Sequence, residues 1–105
     1  TYRKTEQEPV RFTHKEVALD IARGTVSFHG KQTELSKNEL KIMHLLFQKK
    51  GEIVSRTDMI EYLWDNQVFI DDNTLSVNVT RIRGKLEEIG ISGLIETRRG
   101  MGYRI

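Results

Sequence analysis

Between Val10 and Leu35 the chain alternates short runs rich in β-branched and aromatic residues, VRFT, EVALDI, TVSFH and KQTEL, with the turn-forming pieces HK, ARG and GK. That pattern predicts about four short strands folded against one another as an antiparallel sheet. At Ser36 the period changes. Leu40, Met43, Leu46 and Phe47 recur at helical spacing, and Ser36-Lys37-Asn38-Glu39 has the S-x-x-E form in which serine and glutamate cap each other's backbone N–H. A first helix is expected from about 37 to 49, stopped by Gly51. EIVSR then supplies a short extended piece, and Ser55-Arg56-Thr57-Asp58 repeats the capping pattern ahead of Met59, Ile60, Leu63 and Trp64, a second and shorter helix. DNQVFIDD leads to a third helix, opened by Asp71 or Asp72 and ending near Gly90. LIETRRGMGYRI closes the chain as two extended runs around Gly100-Met101-Gly102, a hairpin signal. These elements together predict an α+β fold.

The third helix carries two faces. Stepping about 100° per residue from Leu75, Val79, Ile82, Leu86 and Ile89 fall on one side, the stripe expected to pack on the first two helices. The other side carries Asn73, Val77, Thr80 and Gly84, with Arg81 beside them and Arg83 and Lys85 on the flanks. A helix side that meets water usually holds long charged residues. A surface of small methyls and an amide, bordered by basic residues, suits a groove of nucleic acid instead. Asparagine can bond an adenine edge, valine and threonine methyls can pack on a thymine methyl, arginine can fork onto guanine, and flanking cations can meet phosphates. Gly84 forfeits about 1 kcal/mol of helix propensity relative to alanine, and would let the backbone approach a phosphate chain. The plainer reading is that Val77 is a stray exposed methyl pair and Gly84 a tolerated defect.

Charge sharpens this picture. The formal net charge over the 105 residues is only +2, yet residues 73–105 hold six Lys/Arg against three Asp/Glu while the preceding stretch is nearly balanced. The C-terminal third is the basic end, consistent with an anionic partner. The length suits one domain with one core, expected over 10–105, and the polar, aperiodic TYRKTEQEP of residues 1–9 reads as a linker remnant. The absence of cysteine excludes a disulfide framework, a thiol nucleophile and a Cys-based zinc site. No apolar run approaches the length needed to cross a bilayer, and no signal peptide is apparent, so a cytoplasmic location is expected.

With those motifs in hand, ELSKNELKIMHLL, GEIVSRTDMIEYLW, DDNTLSVNVTRIRGKLE and IETRRGMGYRI, the chain resembles the C-terminal winged-helix effector domains of OmpR/PhoB-type response regulators. The resemblance spans about residues 10–105. It implies a winged helix-turn-helix with an N-terminal four-stranded antiparallel sheet, three helices and a C-terminal β-hairpin wing. It further implies that the chain binds double-stranded DNA and regulates transcription, with the helix at about 72–89 in the major groove and the wing at about 94–105 in the minor groove. Positions matching family contacts are Asn73, Thr74, Asn78, Thr80, Arg81 and Arg83 on the helix, with Val77 facing bases, and Thr97, Arg98, Arg99 and Tyr103 in the wing. Several relatives carry arginine in place of Thr80 and a basic residue in place of Gly84, which leaves the chemistry at those two points open. Trp64 matches a tryptophan whose indole can reach a phosphate; a core role is the alternative. Arg99, just before the glycine turn, is the choice for a narrow A·T-rich minor groove, whereas Arg98 in the adjoining strand should point the other way.

Family likeness also implies partners. These are a receiver domain phosphorylated by a histidine kinase, a second copy on a direct repeat of DNA, and RNA polymerase through residues 65–72. The isolated domain is expected to be a monomer that pairs on DNA. DNTLSVNVTRIRGKLEEIG is similar to the subgroup controlling resistance to cell-envelope-active antimicrobial peptides in low-GC Gram-positive bacteria.

An enzyme is the competing class. His14, His29 and His44 lie in different elements, and no Gly-rich phosphate loop, nucleophile elbow or carboxylate-plus-base cluster is apparent. No catalytic residue, metal ligand or cofactor is therefore expected. The other alternative is a winged-helix module that binds protein and not DNA, which Arg81, Arg83 and Lys85 argue against.

Overall fold

The computed structural model describes residues 11–64 and 70–105. Four strands, β1 (Arg11–His14), β2 (Val17–Asp20), β3 (Thr25–Phe28) and β4 (Lys31–Glu34), form an antiparallel sheet in sequential order. Two of its turns need only two residues each, Lys15-Glu16 and His29-Gly30, and all four of these have positive φ. Such turns carry a twist that matches the strands they join. The expected linker at residues 1–9 lies outside the described residues.

The three expected helices follow. Helix α1 (Lys37–Gln48) begins with the predicted capping box: Glu39 N–H donates to Ser36 Oγ, and Ser36 N–H donates to Glu39 Oε1 at 2.8 Å. Helix α2 (Arg56–Leu63) is capped by the Ser55 side chain. For α3 (Asp72–Glu88), Asp71 rather than Asp72 is the cap, its Oδ1 accepting from Thr74 N–H at 2.8 Å. That bond holds the exposed Asp71 carboxyl below its ordinary pKa.

The predicted stripe of α3 is the middle of the core. Leu75, Val79, Ile82, Leu86 and Ile89 are all buried against Ile42, Met43, Leu46 and Phe47 of α1, Met59 and Leu63 of α2, and Val17, Leu19 and Val26 of the sheet. Burying side chains of this size contributes roughly 1.5–3 kcal/mol each, so the three helices and the sheet stabilise one another. Among the described residues no helix is long and apolar enough to cross a membrane.

The C-terminal hairpin, β6 (Glu96–Arg98) and β7 (Gly102–Arg104), is one strand larger than its sequence suggests. The short strand β5 (Val54–Ser55), just ahead of α2, pairs with β7, giving a three-stranded sheet in the order β5-β7-β6. The wing is thereby tied directly to the start of α2.

Candidate nucleic-acid interface

Helix α3 turns one side to the core and the other to solvent, where Ser76, Val77, Thr80 and Arg81 line a shallow groove of about 340 Å³. Val77 is 40% exposed, uncommon for an apolar residue in mid-helix, and Asn73, Thr80, Arg81 and Gly84 are exposed with it. Thr74 is half-buried near the N-terminus. This face matches the side expected from the helical period.

Gly84 has no packing reason to be glycine. It has no positive φ, and a Cβ built on it meets nothing within 4 Å. Gly84→Ala is therefore expected to raise stability by about 0.5–1 kcal/mol, read as a higher urea midpoint. A lower midpoint would mean that the helix at this position is held in a way its open surroundings do not reveal.

Three of the expected contact residues are placed elsewhere. Asn78 is only 6% exposed, and its Nδ2 donates to the Thr74 carbonyl at 2.9 Å. Its place on the core flank of the helix turns the amide inward, away from the exposed groove. Lys85 turns toward the end of β4 and the first turn of α1, where its Nζ donates to Glu34 O at 2.9 Å and to Glu39 Oε1 at 2.6 Å. Tyr103 is buried in the core, because β5 and β6 flank β7 on both edges. Trp64 departs from the core alternative: at the C-cap of α2 it is 49% exposed, bordering the segment 65–69 that lies outside the described residues.

At the hairpin tip Arg98, Arg99, Gly100 and Met101 are all exposed, with Met101 N–H closing the turn onto Arg98 O at 2.8 Å. Glu96 neutralises part of the wing's charge: Arg104 Nη2 donates to its Oε1 at 2.7 Å, and Arg98 Nη1 lies 3.7 Å away. The hydrogen bond from Arg104 is the main reason the Glu96 carboxyl sits below its ordinary pKa. Among the described residues Arg81 and Arg99 enter no ion pair, so their guanidinium groups are the cations this surface presents.

Arg56, which the sequence pattern does not single out, proves central to the geometry. From the first turn of α2 its Nε donates to Asp72 Oδ1 and its Nη2 to Ser76 Oγ, both at 3.1 Å. Its guanidinium also stands 5.8 Å from the centre of the Tyr103 ring. One side chain therefore links α2, the N-terminal turn of α3 and the wing sheet. No local motif could reveal it, since its partners are 16 and 20 residues away.

Comparison with known proteins agrees with this architecture. Residues 30–105 match the family described as "Transcriptional regulatory protein, C terminal". The chain is 41% identical over 102 residues to the response regulator protein GraR of Staphylococcus aureus (strain MRSA252), covering 97% of this chain and 46% of GraR. It thus spans about half the length of that relative. Among solved structures, the C-terminal domain of the nisin resistance regulator NsrR, a lantibiotic response regulator, superposes with a TM-score of 0.76 at 40% identity, covering 89% of this chain and 94% of that one. The DNA-binding domain of the response regulator AdeR, solved in complex with an intercistronic region, superposes with a TM-score of 0.77 at 25% identity, covering 89% of this chain and 96% of that one. The family match over residues 30–105, with 41% identity to GraR along nearly the whole chain, places this chain in the family of transcriptional regulatory protein C-terminal domains.

Proposed function

We propose that this chain binds double-stranded DNA in a sequence-specific manner, as the effector domain of a two-component response regulator that controls transcription. The observation that carries the reading is the solvent face of α3: a methyl-lined groove at Val77 and Thr80 ends on the exposed Arg81, with Arg99 at the wing tip as a second exposed cation, neither in an ion pair among the described residues. The AdeR domain, of the same architecture, is a DNA complex. In this reading Asn73, Thr74, Val77, Thr80 and Arg81 meet base edges and sugar-phosphate in the major groove. Arg99, assisted by Arg98, enters the adjoining minor groove, and Trp64 lies along the phosphate path. Asn78, Lys85 and Tyr103 act from inside the fold, holding these elements.

The parent protein, on this reading, is cytoplasmic and carries a receiver domain addressed by a histidine kinase. Two copies occupy a direct repeat, and residues 65–72 face RNA polymerase. The likeness to a nisin resistance regulator supports control of genes that respond to cell-envelope antimicrobial peptides.

Selection from random duplexes, followed by affinity measurement on the enriched site, tests the proposal. Val77→Ala is expected to relax preference at one or two base positions, and Arg81→Ala and Arg99→Ala each to cost about 1–3 kcal/mol of binding. Affinity should also fall steeply with added salt as phosphate contacts release counterions. If no duplex were enriched, or if all three variants bound like the parent chain, the assignment of helix and wing to the grooves would be wrong.

A further inference from the structure

Arg83 sits where the sequence places a phosphate-binding cation, on the flank of α3, yet its side chain is already committed. A single nitrogen, Nη2, donates to the backbone carbonyl of Ile95 at 2.9 Å and to the hydroxyl of Thr97 at 2.7 Å. Ile95 immediately precedes β6 and Thr97 is its middle residue, so the two acceptors lie at the base of the wing's first strand. The contact joins the recognition helix to the wing across 12 and 14 residues of sequence. Near this joint the connection from α3 to β6 carries Gly90 and Gly93, both at positive φ, and no regular element spans it. Helix and wing are thus separated by an irregular connector, whose Ile91, Leu94 and Ile95 are buried in the core, and are joined directly by the guanidinium.

Resting on the DNA-binding reading above, we infer that Arg83 is a positioning residue that sets the spacing between recognition helix and wing, so that α3 and Arg99 engage neighbouring grooves at the same time. Its partner in this role is the Thr97 hydroxyl, which therefore serves the wing from its base. Two elements that must fit two grooves of one duplex gain from being held at the right separation before binding, because the ordering cost is then met during folding. A lysine cannot replace this arrangement. Its ammonium keeps the charge but stands one bond short of Nη2 along the side chain and lacks the fixed plane that aims both N–H bonds of that nitrogen at the carbonyl and the hydroxyl. The role also differs from that of a simple phosphate contact, for which lysine would serve nearly as well.

The test is a double-mutant cycle on the duplex selected with the parent chain, using Arg83→Lys, Arg99→Ala and both together, with Thr97→Val as an independent probe of the same strut. Circular dichroism and urea midpoints establish that each variant is folded. Arg83→Lys is expected to lose on the order of tenfold in affinity, the size of one contact, and to lose base preference at the flanking minor-groove positions while keeping it under α3. Added to Arg99→Ala, it should cost little more, since a wing without its arginine gains nothing from being positioned. Thr97→Val should reproduce the flank-specific loss in weaker form. Overturning results are equally clear. Unchanged affinity for Arg83→Lys, beside a loss and a flattened salt slope for Arg83→Ala, would make Arg83 a phosphate contact and nothing more. Additive losses in the cycle would do the same. If the parent chain itself enriched no duplex, the DNA-binding reading would fail and this inference with it, an outcome distinct from a strut that proves silent in a chain that binds.

Discussion

Lys85→Ala is expected to remove about 2–4 kcal/mol of folding stability near neutral pH. Among the described residues Lys85 is the one cation paired with Glu39, whose side chain is only 3% exposed. Removing the ammonium leaves a buried carboxylate held by Ser36, through its backbone N–H and its side chain. The pH dependence separates this cause from lost packing. In the parent chain, burial pushes the Glu39 carboxyl up, but the bonds from Lys85 and Ser36 outweigh it and hold the pKa below its ordinary 4.5. A depressed folded-state pKa contributes stability that is present above the unfolded value and is lost as pH falls through the folded one. In the variant the largest remaining influence is burial, which acts in the opposite direction. The destabilisation by Lys85→Ala, measured as a shift in urea midpoint, should therefore shrink between about pH 7 and pH 4. A deficit that stayed constant with pH would show that the lysine acts through its aliphatic stem and not through Glu39.

Gly102→Ala should be comparably damaging for a different reason. Here β7 passes β5 so closely that a Cβ would strike the Val54 carbonyl oxygen and lie 2.8 Å from Ser55 Cα. Backbone cannot yield as a flexible side chain would, so the wing sheet must open along the Ser55–Gly102 and Val54–Tyr103 pairs. A loss of at least about 2 kcal/mol is expected, together with weakened DNA binding as the wing loses its support. Gly100→Ala is the control. Its φ of +73° carries a left-handed penalty, but its Cβ would meet nothing within 4 Å, so about 1 kcal/mol is expected. Equal midpoints for the two variants would show that turn conformation alone explains both glycines.

That contrast marks a limit of reading the chain by pattern. The G-x-G signal identifies a hairpin, and turn geometry is the natural explanation for both glycines. Both do have positive φ, but for Gly102 conformation is not the whole reason. Gly102 is required by a neighbour 47 positions earlier in the chain, in a strand of two residues. Asn78 and Lys85 fall about 60° and 80° from the centre of the apolar stripe of α3, on the core side, and both are indeed turned inward.

Strands, helices, caps and the two faces of α3 followed from the sequence because each depends on residues within a few positions of one another, through alternation, helical period and capping geometry. What the tertiary structure alone decided is which cations remain available. Lys85 is consumed by a carboxylate 46 residues away, Arg83 by the wing and Arg56 by the helix it steadies. Arg81 and Arg99 are left facing outward. A charge count treats every arginine alike, but a guanidinium that has found acceptors inside the fold has less left to offer a phosphate. Only the folded arrangement of distant segments determines which ones have done so.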